Sequence, residues 1–184
     1  MNSPQNPDLT NENSIKWSIS VYELLHKHFI RQVVYVPDSG HSSLINQCHS
    51  DRGLETIVVS TEEEGVAHLS GAWLGGDRGL MLMQSSGVGN CVNMFSLITE
   101  CRIPFVTLIT MRGQWGEFNP WQVQMGQNTV EILRLSGFVV HAIDHQEDVV
   151  ETIDAGLKLA FDSSKAVAIL LSQRLIGRKE FIEK

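Results

Sequence analysis

The feature that constrains this chain most is a regular alternation of two hydrophobic periods. Six short aliphatic runs, at residues 32–36, 56–60, 80–84, 105–110, 138–142 and 167–171, alternate with stretches of helical spacing at 42–49, 62–74, 90–101, 128–136 and 146–161. A further helical pattern opens at Ser14, where Trp17, Val21, Leu24, Leu25 and Phe29 recur at three- and four-residue intervals. Most strand runs are continuously apolar, as expected of strands covered on both faces. Parallel strands need crossover connections, which helices supply. The pattern therefore predicts an α/β chain: one three-layer α/β/α domain with a mainly parallel six-stranded sheet. No repeat, low-complexity segment or linker interrupts it, and 184 residues suffice for one such domain but not two. Residues 1–13 have little to bury and are expected to form a disordered polar tail, leaving 14–184 as the domain.

Charge and cysteine usage narrow the function. With 14 basic and 21 acidic residues, a net charge of -7 and no Lys/Arg run, the chain has no means of neutralising a phosphate backbone, so nucleic acid is not an expected partner. Cys48, Cys91 and Cys101 show no CxxC pairing and read as small buried hydrophobes in a reducing compartment. Of the histidines only His141 and His145 approach a metal-ligand spacing, and they straddle a strand end, so no metal site is expected. The polar N-terminus is not a signal peptide, and no apolar run is long enough to span a bilayer. The expected location is the cytoplasm.

In open parallel sheets, ligands gather beyond the carboxyl ends of the strands. Four segments occupy such positions here. Asp38, Ser39 and His41 follow the first strand in ordinary turn chemistry. Glu62, Glu63 and Glu64 open a helix after Thr61. They read either as charges that complement the helix dipole or as containing one buried acid–base carboxylate. Gln84, Ser85, Ser86, Gly87, Val88, Gly89 and Asn90 form a small-residue turn whose glycines permit positive φ and close backbone approach. It is neither a Walker A loop nor a GxGxxG fingerprint, so by itself it is a weak phosphate signal and an ordinary tight turn is the default reading. Residues 111–125, with Arg112, Trp115, Phe118 and Trp121, form a long aromatic connection that suits either a loop folded over the core or a binding or subunit contact.

In combination these segments resemble a known family. The order Val36-Pro37-Asp38-Ser39, Glu62-Glu63-Glu64-Gly65, Gly71-Ala72-Trp73-Leu74-Gly75-Gly76 and Met83-Gln84-Ser85-Ser86-Gly87-Val88-Gly89-Asn90 is similar to the pyrimidine-binding (PYR) domain of thiamine-diphosphate decarboxylases. Ser96-Leu97, Ile103-Pro104, Arg112-Gly113, Glu117 and Gln124-Met125-Gly126 extend the likeness to the α subunits of sulfopyruvate decarboxylases and the matching half of phosphonopyruvate decarboxylases. The resemblance implies a 2-oxoacid decarboxylase in which one glutamate contacts N1′ of the cofactor aminopyrimidine and favours its imino tautomer. The family pattern sets a small residue three positions after that glutamate and a glycine nine after. Glu62 meets both, with Gly65 and Gly71, whereas Glu64 finds Ala67 and Trp73. The resemblance further implies that Gln84, Ser85, Ser86, Gly87, Gly89 and Asn90 line the cofactor cleft. Asp38, Ser39, His41 and Arg112 would sit toward the substrate, with Arg112 or His41 as donors to an anionic tail.

The family's diphosphate and magnesium site is the part with no match. Its Gly-Asp-Gly element is approached only by Gly76-Asp77-Arg78, with no suitable asparagine downstream. The resemblance thus implies a heteromer, α2β2 or larger, in which a separately encoded β subunit supplies the Mg2+ site. Sulfopyruvate is the expected substrate, with phosphonopyruvate or another 2-oxoacid as the alternative. A non-catalytic regulatory or scaffold subunit is the reading from a different class.

Overall fold

The computed structural model describes residues 7–177. Helix α1 (Pro7–Lys27) leads into β1 (Ile30–Tyr35), α2 (Ser42–Ser50), β2 (Glu55–Val58), α3 (Glu62–Leu74) and β3 (Arg78–Gln84). The chain continues through α4 (Ser85–Cys91), α5 (Phe95–Cys101), β4 (Phe105–Thr110) and α6 (Pro120–Leu135). It closes with β5 (Val139–Ile143), α7 (Val149–Ser163), β6 (Ala166–Leu171) and the short α8 (Gln173–Ile176). The strands form one open sheet in the order β2-β1-β3-β4-β6-β5, and every pairing is parallel.

The period-two geometry of the strands explains why both faces are apolar. On one face Val33, Leu80, Leu82, Val106, Leu108, Val167 and Ile169 pack beneath α1, α2, α7 and α8. On the other, Val34, Met81, Met83, Ile109, Ala168 and Leu170 pack beneath α3, α4, α5 and α6. The central strand β4 is buried throughout and β6 nearly so, while the edge strands β2 and β5 keep exposed positions. This is the three-layer α/β/α arrangement expected from the sequence.

Three boundaries differ from the expectations, each for a physical reason. Helix α1 opens at Pro7 rather than Ser14, so residues 7–13 of the expected tail are helical, and 1–6 lie outside the described residues. A proline at a first helical position loses no hydrogen bond, and the polar turn that follows carries no hydrophobic period by which to read it. The expected turn at 85–90 is the helix α4, and neither Gly87 nor Gly89 has positive φ. The expected connection at 111–125 ends at Asn119, whose side chain caps α6 by accepting from the Trp121 amide (3.1 Å), with Pro120 at the first turn.

Candidate active site

The carboxyl ends of β1, β2, β3 and β4 deliver the four expected segments to one end of the sheet. Thr61 is extended (φ -144°, ψ 158°), and the chain turns there from β2 into α3, so Glu62 is the first helical residue. Val66 and Leu69 anchor that helix to the sheet, and Glu62 is left buried. Its Oε2 accepts a hydrogen bond from Asn90 Nδ2 at 2.8 Å. Among the described residues no donor reaches Oε1. The carboxylate lies against α4 at Gly87, where a Cβ would stand 2.5 Å from Oε1 and 2.6 Å from both Cδ and Cγ. Close approach, rather than unusual backbone torsion, is therefore what requires glycine at that position.

The neighbouring acids behave differently. Glu64 reaches back to accept from the Ser60 amide (2.8 Å), a capping interaction that ties down the start of α3. Glu63 is half-buried, with Oε2 enclosed and unpartnered.

A second cluster forms around Asp38. Its Oδ1 accepts from Gln84 Nε2 at 3.0 Å and its Oδ2 from Thr110 Oγ1, while Ser86 Oγ donates to Gln84 Oε1 at 3.0 Å. Burial opposes ionisation of Asp38, but nearby His41 and donation from Thr110, Gln84 and the Gly40 amide together hold its carboxyl below the usual value. His41 is itself fully buried, and burial pushes the ring below its ordinary value, so at neutral pH it is uncharged. His41 sits edge-on to Trp17 and contacts Met83 O through Nε2 at 3.3 Å. Ser39 is exposed at the start of the short turn that carries His41.

Arg112 occupies a different setting from the one expected of an anion donor. It is buried, and its Nε and Nη2 donate side by side to Glu117, at 2.6 Å for the Nε bond. Glu117 also accepts from the amides of Gly113 (3.2 Å) and Asn119 (3.1 Å) and from Gln173 Nε2 (3.2 Å). These bonds, that from Arg112 largest, pull the Glu117 carboxyl down to about 2 against the opposing effect of burial. Gln173 Oε1 in turn accepts from the amides of Gln114 and Trp115, both at 2.9 Å. Gly113 adopts φ 75°, and a Cβ on Gly126 would meet Arg112 O at 2.1 Å, so the loop is pressed onto α6 through bare backbone. Arg112 thus fastens the loop, and its charge is balanced by Glu117.

The structure therefore gathers Glu62, Gly87 and Asn90 into one cluster and Asp38, Gln84, Ser86 and His41 into another, bridged by α4. Ser85 is fully buried and receives the Arg112 amide on Oγ (3.1 Å), joining the loop to this region. Gly89 gives α4 room against Met125, whose Sδ would lie 3.3 Å from a Cβ there. Sequence reasoning did not select Thr110 or Gln173. The signal for Thr110 is a hydroxyl at the carboxyl end of a buried strand, where ligands gather, and nothing in the sequence signals Gln173. Cys48 and Cys91 are buried as expected, but Cys101 is exposed. Among the described residues no group of three or more His, Cys, Asp or Glu could hold a metal ion, and no helix is long and apolar enough to cross a membrane.

An open parallel α/β sheet with a buried carboxylate beyond its strand ends defines the class of this domain, and comparison with known proteins refines it. No family model matches the sequence. The chain is 31% identical over 155 residues to the sulfopyruvate decarboxylase subunit alpha of Methanococcus maripaludis, covering 84% of this chain and 93% of that one. It is 36% identical over 131 residues to the phosphonopyruvate decarboxylase of Streptomyces viridochromogenes, covering 70% of this chain but 33% of that longer one. The 2-oxoglutarate:ferredoxin oxidoreductase of Magnetococcus marinus shares the fold with a TM-score of 0.65 over 88% of this chain and 29% of its own, at 12% identity. The chain belongs to the sulfopyruvate decarboxylase α-subunit family. Its relatives are decarboxylases, that is, carbon–carbon lyases.

Proposed function

We propose that this chain is the α subunit of a cytoplasmic heteromeric decarboxylase that uses thiamine diphosphate to convert sulfopyruvate to sulfoacetaldehyde and CO2. The observation that carries this reading is the buried carboxylate of Glu62, laid on a bare glycine and, among the described residues, bonded on one oxygen only. The donor set suits an aminopyrimidine: a carboxylate for a ring nitrogen, with the polar groups of Gln84 at the end of β3 and Ser86 in the first turn of α4 for its edges. Gly87 leaves room for the Glu62 carboxylate, while buried Ser85 ties α4 to the 111–119 loop.

Thiamine diphosphate, when bound, supplies the nucleophilic carbon and the electron sink for the pair left by departing CO2. Glu62 would be the residue that holds the aminopyrimidine, sharing a proton with a ring nitrogen through its carboxyl group. Asp38 and Ser39 would lie toward the reacting end, where an ionised Asp38 would orient the proton donor used after CO2 has left. Arg112 and His41, engaged or uncharged in this chain, contribute by shaping the cleft rather than by pairing with the sulfonate.

A separate β subunit carries the diphosphate and Mg2+ site, in an α2β2 or larger assembly. Two coverages support the division: the α-subunit relative is matched nearly end to end, whereas the phosphonopyruvate enzyme is matched over a third of its length. The likeness to that enzyme also favours phosphonopyruvate as the second substrate to test.

The test is reconstitution. This chain with thiamine diphosphate and Mg2+ is expected to release no CO2 from sulfopyruvate, and addition of the co-encoded partner is expected to give turnover. Glu62→Gln in the assembled enzyme is expected to lower kcat by about 10²–10⁴. Full activity of the isolated chain would overturn the two-subunit reading, and an unchanged rate in E62Q would favour a non-catalytic scaffold role.

A further inference from the structure

We propose that Asn90 is a positioning residue for Glu62 and not a ligand of the cofactor, an inference that rests on the assignment of Glu62 above. Glu62 and Asn90 belong to different elements, the first residue of α3 and the last turn of α4, and they meet through one bond of 2.8 Å from Nδ2 to Oε2. One turn before Asn90, Gly87 presents no side chain, so the carboxylate lies against bare helix. The Glu62 side chain is thereby held from two sides. The helix surface blocks rotation in one direction, and the amide pins one oxygen.

The consequence is an asymmetry between the two oxygens. A lone pair of Oε2 is committed to an N–H donor, which disfavours a proton on that atom. Oε1 has no donor among the described residues. A proton shared between Glu62 and a bound ring nitrogen would therefore be carried on Oε1, in one orientation. An amide suits this task because it carries no charge and does not titrate, so it fixes geometry without adding an acid or a base to the cleft. One N–H of the Asn90 amide is engaged by Glu62.

The test uses the assembled enzyme and a double-mutant cycle. Asn90→Ala is expected to lower kcat by about tenfold or more, while raising the Kd for thiamine diphosphate no more than Glu62→Gln does. Asn90→Asp, the closest match in shape, is expected to be worse than Asn90→Ala, because it sets an acceptor against Oε2. Asn90→Ser, which retains a donor, is expected to recover part of the rate. In the E62Q background, N90A is expected to change kcat by less than about twofold, since its effect runs through Glu62. Thermal unfolding of each variant reports whether the fold is intact.

A Kd that rises with the loss of rate, an N90D milder than N90A, or effects of N90A and E62Q that multiply would each overturn the positioning role while leaving the assignment of Glu62 standing. An E62Q enzyme at full rate would overturn both.

Discussion

Gly87 lies so close to Glu62 that the Cα hydrogen of one residue and the carboxylate of the other share a space with no room for a methyl group; a Cβ would approach Oε1 to 2.5 Å. Alanine is the better helix former by about 1 kcal/mol, so on propensity alone Gly87→Ala in α4 should stabilise. The contact reverses that expectation. Gly87→Ala is expected to displace the Glu62 carboxylate and lower kcat about 10²-fold. Gly89→Ala, whose Cβ would meet only the flexible tip of Met125 at 3.3 Å, is expected to keep most of the activity. Steady-state kinetics of the two variants, with unfolding midpoints alongside, separate local displacement from global loss.

Arg112 and Glu117 predict a stability effect. Arg112→Ala leaves a buried carboxylate with its strongest partner gone, at a cost of about 3 kcal/mol, near the low end for a broken buried pair because three other donors remain. Chemical denaturation of the isolated chain measures it. The same pair sets an acid limit. Because the folded carboxyl sits near 2 against an ordinary 4.5, its contribution is complete above about 4.5 and is lost as pH falls toward 2. In Glu117→Gln, the slope of stability between those pH values is expected to flatten.

Thr110 is tied to Asp38, and its hydroxyl helps keep that carboxyl below the usual value. Thr110→Val removes the bond without changing shape and is expected to cost about 1.5–3 kcal/mol, the range for a hydrogen bond to a charged group. Asp38 in the variant should protonate at higher pH than in the native chain. Its stabilising contribution, present above the unfolded value near 3.8 and lost on acidification, should therefore fade earlier as pH falls. Acid titration of the two proteins by circular dichroism checks the order.

The cysteines divide by environment. Burial pushes the thiols of Cys48 and Cys91 up to about 12, for Cys91 with added repulsion from Glu62 and Glu63, whereas Cys101 is exposed. At neutral pH a thiol reagent is expected to modify Cys101 rapidly and the other two only on unfolding. Mass spectrometry of native and denatured samples gives the count directly.

Much of this architecture is legible in the sequence because hydrophobic periodicity is a local property. The run from Phe105 to Thr110, rich in β-branched residues and too short for a helix, reads as a covered strand, and Val66 and Leu69 mark the inner face of α3 without reference to any other segment. Helix starts were harder to read where polar residues do the work. Pro7 and Pro120 each open a helix whose first turn carries no regular apolar stripe, and the glycines of α4 read as a turn because their propensity is low. Tertiary packing overrode that propensity, since α4 is held by Val88 and Cys91 in the core.

The sequence by itself determined the layered parallel sheet, the strand ends at which polar residues collect, and Glu62 as the acid whose spacing matches the family pattern. Only the tertiary structure decided which groups those residues serve. It gave Glu64 to the Ser60 amide and Glu62 to Asn90, and it committed Arg112 to Glu117 instead of leaving its charge open to a ligand. The reason is physical. Periodicity records which face of an element is buried, but hydrogen-bond partners come from different elements, and their pairing depends on distances that exist only once the sheet has assembled.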